Sequence, residues 1–288
     1  MIAILIGVLG CPSMKTRIVL TLIAATTLAG CGGSSGAEGT NVVAAFYPLA
    51  FAAQQIGGDG IHVHNLTPPG VEPHDLELSG SDIRTIADAK LVLYLGGGFQ
   101  PALEDAIDST SANGVDLLAA GETKDPHVWL DPVRYAAIAT RIGEELGRRP
   151  DAERFAAKLR ALDGEFRRGL SRCERDEIVT SHAAFGYLAE RYGLKQVAIT
   201  GIAPEAEPTP RELENVVRQV RAVGATTVFF ETLVSPRLAE TVAREVGAKT
   251  AVLDPLEGLT QKESAAGEDY FSVMRENLAA LRKTLGCR

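Results

Sequence analysis

One long amphipathic stretch constrains this chain more than any other feature. Over residues 151–172, Phe155, Leu159, Leu162, Phe166 and Leu170 recur at spacings of 4, 3, 4 and 4, and charged residues fill the positions between them. That period puts the apolar side chains on one face of an α-helix roughly 33 Å long at about 1.5 Å per residue, enough to reach across two halves of a molecule. On either side of it short apolar runs alternate with helix-period segments, as repeated βαβ units do. The expected fold is α/β, with two βα-sandwich lobes, each a mainly parallel sheet flanked by helices, joined by one long rigid helix.

In the first half the strands fall at residues 41–48, 61–66, 91–95 and 115–118, with helices over 49–56, from Ser81 or Asp82 to 87, and over 101–108. In the second they fall at 177–180, 196–199, 227–230 and 250–253, with helices over 183–192, 210–223, 236–246 and 269–285. The triple glycine 96–98 lacks both the Gly-Lys-Ser/Thr ending of a phosphate loop and Gly-x-Gly-x-x-Gly spacing. It reads as a tight strand-to-helix turn with close backbone approach.

The chemistry gathers at strand ends and in Pro/Gly-rich loops. Residues 125–132, Asp-Pro-His-Val-Trp-Leu-Asp-Pro, hold the only tryptophan and His127 between two Asp-Pro steps, which bias both Asp125 and Asp131 toward extended backbone. His74 follows Pro-Pro-Gly-Val-Glu-Pro, His182 ends Ile-Val-Thr-Ser, and Asp254 ends Ala-Val-Leu. Open α/β sheets place ligand-binding side chains in such positions. Three imidazoles and a carboxylate suit a divalent transition metal, and that donor set favours zinc over magnesium or calcium. The four candidates are dispersed along the chain, so a finished fold must build the site, unlike a zinc finger. His62 and His64 share one strand face and read as exposed. Glu205, Glu207 and Glu231 are the remaining carboxylates expected near the cleft.

Net charge is −8, and residues 1–30 contribute Lys15 and Arg17 but no acid, so the remainder is more acidic still. That surface argues against nucleic acid as a partner. Lys15 and Arg17 precede a short apolar run ending in Leu-Ala-Gly-Cys31, the pattern of a signal peptide over residues 1–30, with Met14 offering a second start. The ending resembles the bacterial lipoprotein box, which implies cleavage before Cys31 and its lipidation, with residues 31–40 as a flexible tether. With Cys11 removed and Cys31 acylated, Cys173 and Cys287 remain as a pair for a disulfide.

Taken together, Pro-Pro-Gly-Val-Glu-Pro-His-Asp, Asp-Pro-His-Val-Trp-Leu-Asp-Pro, Ser-His-Ala-Ala-Phe-Gly-Tyr-Leu-Ala-Glu-Arg-Tyr-Gly-Leu, Gly-Ile-Ala-Pro-Glu-Ala-Glu-Pro-Thr-Pro and Leu-Asp-Pro-Leu resemble the signatures of the zinc/manganese solute-binding lipoproteins of ABC transporters, the TroA/ZnuA-like family. The resemblance runs from Val42 to the C-terminus. It implies an N-terminal metal-binding lobe over 41–150, a linker helix over 151–172 and a C-terminal lobe over 173–288. The metal would sit in the cleft between the lobes on His74, His127, His182 and Asp254. It further implies a monomeric extracytoplasmic protein, anchored to the membrane through Cys31, that delivers its ion to an ABC permease. Manganese members carry Glu where His182 stands, which favours Zn(II) over Mn(II). Residues 113–124 lack the long histidine-rich loop of many zinc members. Two rival functions fit parts of the same sequence: a zinc hydrolase, for which no His-Glu-x-x-His general-base motif is present, and a surface adhesin.

Overall fold

The computed structural model describes residues 39–118 and 125–288. The expected signal segment and Cys31 lie outside these residues, as does most of the expected tether. Among the described residues, no helix is long and apolar enough to cross a membrane.

The first half alternates β1 (Thr40–Ala44), α1 (Tyr47–Gly57), β2 (Ile61–Asn65), α2 (Gly80–Asp88), β3 (Leu91–Tyr94), α3 (Pro101–Thr110) and β4 (Gly114–Asp116), and closes with α4 (Pro132–Glu145). Its four strands are all parallel, in the order β2-β1-β3-β4. After α5 (Arg149–Gly169) the second half runs β5 (Glu177–Thr180), α6 (Gly186–Tyr192), β6 (Lys195–Ala198), α7 (Pro210–Ala222), β7 (Thr227–Phe230), α8 (Arg237–Val246), β8 (Lys249–Val252), α9 (Gln261–Ala266) and α10 (Tyr270–Leu285). Its parallel sheet has the order β6-β5-β7-β8. The two sheets thus repeat one topology although no sequence repeat relates them.

Four readings from sequence shift. Pro48 does not end the first strand. Its ring presets the backbone for a first helical turn, and it opens α1. The cap of α2 is Ser79, two residues before the expected start, because its hydroxyl and the Asp82 carboxylate form a reciprocal capping box. Between the two Asp-Pro steps the chain is not extended throughout, since Val128–Leu130 coils into a 3₁₀ turn. Helices α4 and α9 had no expected counterpart.

The long helix spans 21 residues and packs against both halves. Near its start Ala152 presses on Gly143 of α4, and Phe155 meets Phe51 of α1 edge-on at 5.8 Å. Near its end Phe166 stacks on Tyr192 at 5.1 Å, and Glu165 takes a two-pronged bond from Arg275 of α10. One apolar core runs continuously from Phe46, Leu93 and Trp129 to Phe185, Phe229 and Met274, so the halves share an interior. A smaller cluster, including Val179, Val220, Val228 and Val242, seals α7 and α8 onto the second sheet. Cys173, just after α5, is disulfide-bonded to Cys287, just after α10.

The triple glycine is the turn expected after β3. A Cβ on Gly96 would lie 2.4 Å from the Asp116 carboxylate, which accepts the Gly96 amide at 2.8 Å. Only glycine lets the two approach so closely.

Candidate metal centre

In both sheets the strand order reverses beside the first strand, so the carboxyl ends of β1 and β3, and of β5 and β7, flank the two crevices where such sheets bind ligands. His182 lies two residues beyond β5, and Glu231 one residue beyond β7, at the second crevice. His74 comes from the loop after β2, His127 from the segment after β4, and Glu257 from the loop after β8. All five side chains meet. The carboxyl ends of the two sheets therefore serve one shared site.

Four of them present one ligand atom each within 4.8 Å of one another: His74, His127, His182 and Glu257. Glu257 Oε1 lies 3.2 Å from His74 Nε2, 2.9 Å from His127 Nε2 and 3.2 Å from His182 Nε2. The His127 and His182 Nε2 atoms are 3.2 Å apart. A tetrahedral zinc ion with bonds of about 2.0–2.1 Å holds its ligand atoms roughly 3.3 Å from each other. Four of the six separations are close to edges of that tetrahedron, the two from His74 to the other histidines lie within 4.8 Å, and the donor set of three imidazoles and one carboxylate is one zinc takes.

The outer nitrogens are already committed. His127 Nδ1 lies 2.7 Å from Asp125 Oδ1, which also accepts the His127 amide, and His182 Nδ1 lies 2.6 Å from Glu231 Oε1. A carboxylate can only accept, so each Nδ1 carries a proton, and Nε2 is the nitrogen left to offer an ion its lone pair once its own proton has gone. His74 is placed by its backbone, whose amide donates to Glu72 at 2.8 Å, and by edge-on packing of its ring against Phe99 at 4.7 Å. His127, His182 and Glu257 are buried, and His74 alone keeps a little exposure.

Titration follows from this crowding. Burial disfavours the charge of Glu257, but bonds from His127, His182 and His74 overcome it and hold the carboxyl well below its usual range. Burial likewise opposes a charge on His182, yet the Glu231 and Glu257 carboxylates push its pKa up to about 10. His127 is raised as well, against burial, by Asp125 and Glu257. Glu72 goes the other way from Glu257: burial, and then the neighbouring Glu257 charge, raise it to about 9, which keeps it neutral near pH 7.

The fourth residue of the cluster is Glu257, not the expected Asp254. Both oxygens of Asp254 are spent away from the histidines, Oδ1 accepting the Leu256 amide of its own loop at 2.7 Å and Oδ2 the hydroxyl of Thr232, in the loop after β7, at 2.8 Å. Burial raises this carboxyl to about 7 despite those two bonds. The Asp-Pro step at the end of β8 marks the right loop. The carboxylate that reaches the site comes three residues later, after Leu256 has turned the chain at φ 55°. Of the other carboxylates singled out, Glu231 orients His182, whereas Glu205 and Glu207 are exposed on the loop before α7. His62 and His64 are exposed, as expected.

A two-sheet α/β frame with a buried His₃-Glu cluster between the carboxyl ends of its sheets defines a metal-binding protein whose ion ties two halves together. The chain matches the family described as "Zinc-uptake complex component A periplasmic" over residues 42–284, and it belongs to that family. It is 36% identical to the zinc-binding lipoprotein AdcA of Streptococcus pneumoniae serotype 4, an alignment covering 94% of this chain but only 61% of that longer relative. It is 34% identical to the high-affinity zinc uptake system protein ZnuA of Bacillus subtilis, over 92% of this chain and 94% of the relative. Among solved structures it resembles the Zn(II)-bound ZnuA-like domain of Streptococcus pneumoniae AdcA, with a TM-score of 0.73 and 37% identity over 86% of this chain and 99% of that domain.

Proposed function

We propose that this chain is the solute-binding component of an ABC-type importer, which captures Zn(II) outside the cytoplasm and hands it to a membrane permease. The observation that carries the reading is the meeting of three imidazole nitrogens and one Glu257 oxygen within 4.8 Å of one another, four of the separations being close to those a tetrahedral ion would impose. In this reading His74 and His127 from the lobe of residues 41–150, with His182 and Glu257 from the lobe of residues 173–288, are the ligands, and residues 151–172 link the lobes. Four protein ligands close the coordination shell, as storage and carrier sites do, whereas a hydrolytic zinc keeps a position open for water. Asp125 and Glu231, the carboxylates beside the ligands, are engaged in orienting imidazoles rather than poised as general bases. Zinc is favoured over manganese because three imidazole nitrogens outnumber the oxygen donors that manganese prefers. Lipidation at Cys31 would keep the carrier at the membrane beside its permease.

Chelator-stripped protein should take up one equivalent of zinc and keep it against excess manganese. The Cys31→Ser variant should leave the membrane fraction with that affinity unchanged. Preferential retention of manganese, or zinc uptake surviving His127→Ala at full affinity, would overturn the reading.

A further inference from the structure

Three ligands of the site rest on rigid supports: His127 and His182 on carboxylates, His74 on a helix-flanking loop and Phe99. Glu257 is met by the Glu72 carboxyl, but among the described residues no partner fixes its backbone directly. It stands in a loop after the edge strand β8, and its placement depends on how residues 254–256 are held. The chain before Glu257 is fastened at three successive peptide units. Asp254 is gripped on both sides of its backbone by Asn277 of α10: the Asp254 amide donates to Asn277 Oδ1 at 2.8 Å, and Asn277 Nδ2 donates to the Asp254 carbonyl at 2.7 Å. The Asp254 side chain then caps the turn through the Leu256 amide and is itself steadied by Thr232. The Pro255 carbonyl accepts from Trp129 Nε1 at 2.7 Å, and Leu256 takes the left-handed backbone that swings Glu257 toward the histidines. That conformation is unfavourable for a side-chain-bearing residue, so it persists only where neighbours enforce it.

Asn277 is unusual in its setting. It is 3% exposed on a helix face whose other buried members, among them Tyr270, Val273, Met274 and Leu281, are apolar or aromatic. Burying a primary amide there is tolerable only because both of its ends are bonded, and both bonds go to one residue. The helix that carries it is fixed in turn by the Tyr270 hydroxyl donating to the Trp129 carbonyl at 2.7 Å, by the Arg275–Glu165 pair and by the Cys173–Cys287 disulfide.

We propose that Asn277 is a positioning residue for zinc binding: its two bonds to the Asp254 backbone set the loop that presents Glu257, so helix α10 controls the fourth ligand without touching the ion. The proposal rests on Glu257 being a ligand. Sequence reading placed Asp254 on the metal; in this account Asp254 works one step behind it, as the part of the loop that Asn277 and Thr232 hold.

The test is a double-mutant cycle on zinc affinity, measured by chelator competition in the full chain. Thr232, Asp254 and Asn277 all line a groove of about 920 Å³ between β8 and α10, so substitutions there have open space beside them. Asn277→Leu should weaken zinc by about 10- to 100-fold, the usual cost of losing a group that orients a ligand. In a Glu257→Ala background the same substitution should change affinity by less than about threefold, because its target is gone. In a His74→Ala background it should keep its full effect. With Co(II) in place of zinc, the Asn277→Leu visible spectrum should move toward that of Glu257→Ala. Thr232→Val, which removes only a hydroxyl donor to Asp254, should follow the same pattern more weakly, and it serves as the test if Asn277→Leu does not fold. An equal loss with and without Glu257, or a folded Asn277→Leu that binds zinc like wild type, would overturn the proposal. Glu257→Ala binding zinc as tightly as wild type would instead overturn the ligand assignment, a result the cycle reads separately.

Discussion

Zinc binding should remain strongly pH-dependent well above the range of an ordinary histidine. In the metal-free protein the Glu231 and Glu257 carboxylates keep His182 protonated up to about pH 10, and zinc can take Nε2 only by displacing that proton. The sign follows: a raised folded pKa makes the proton a competitor of zinc from the unperturbed value near 6.5 up to about 10, so apparent affinity climbs throughout that window. One proton released per ion gives about tenfold per pH unit, hence roughly tenfold between pH 7 and 8. A histidine with a pKa of about 6.5 would give only about 1.3-fold over the same interval, since it is already mostly neutral. The raised His127 pKa adds to the effect in the same direction. The assay is competition against an indicator of known proton dependence, paired with titration calorimetry in two buffers of different ionisation enthalpy to count the protons. Glu231→Gln removes one of the two carboxylates that hold the His182 proton and should flatten the slope. Affinity unchanged between pH 7 and 8, with no proton released, would refute the reasoning.

Two further outcomes follow from the frame. Removing the disulfide with Cys173→Ser and Cys287→Ser frees a loop closed across 114 residues, so the unfolding free energy should fall by at most about 5 kcal/mol in the chain-entropy picture and the denaturation midpoint with it; equal midpoints would contradict a stabilising role. Because α5 is packed against both halves and one core runs between them, adding zinc should leave the radius of gyration in solution scattering nearly unchanged. A large contraction would show a hinge that this packing does not provide.

What the sequence made legible is what local patterns encode. The strands at Glu177–Thr180 and Thr227–Phe230 coincide with the expected segments, because their apolar runs are bounded by turn residues and buried on both faces. The three histidines stand out because each follows a strand or a proline-rich loop, the positions that parallel sheets turn toward a ligand. The fourth member of the cluster was not legible. Asp254 and Glu257 are both buried acids in one loop. Which one reaches the ion is decided by contacts from distant parts of the chain: Asn277, Thr232 and Trp129. The role of Glu231 was hidden for the same reason, since it meets His182 across 49 residues, whereas Asp125 meets His127 only two residues away. Helix α4 escaped notice although Asp131 caps it and Pro132 opens it, because the Asp-Pro step had been read as a bias toward extended chain. The same dipeptide serves both purposes: Asp131 itself is extended, and the helix starts one residue on.

The central claim is that one ion is held by His74, His127, His182 and Glu257, with Asp254 behind it. Anomalous diffraction at the zinc edge from crystals of the zinc-loaded chain tests it most directly. The account predicts a single peak about 2.0–2.2 Å from the three Nε2 atoms and a Glu257 carboxylate oxygen, with the Asp254 oxygens still bonded to Leu256 and Thr232. A peak coordinated by Asp254, or one that lacks any of the three histidines, would contradict it.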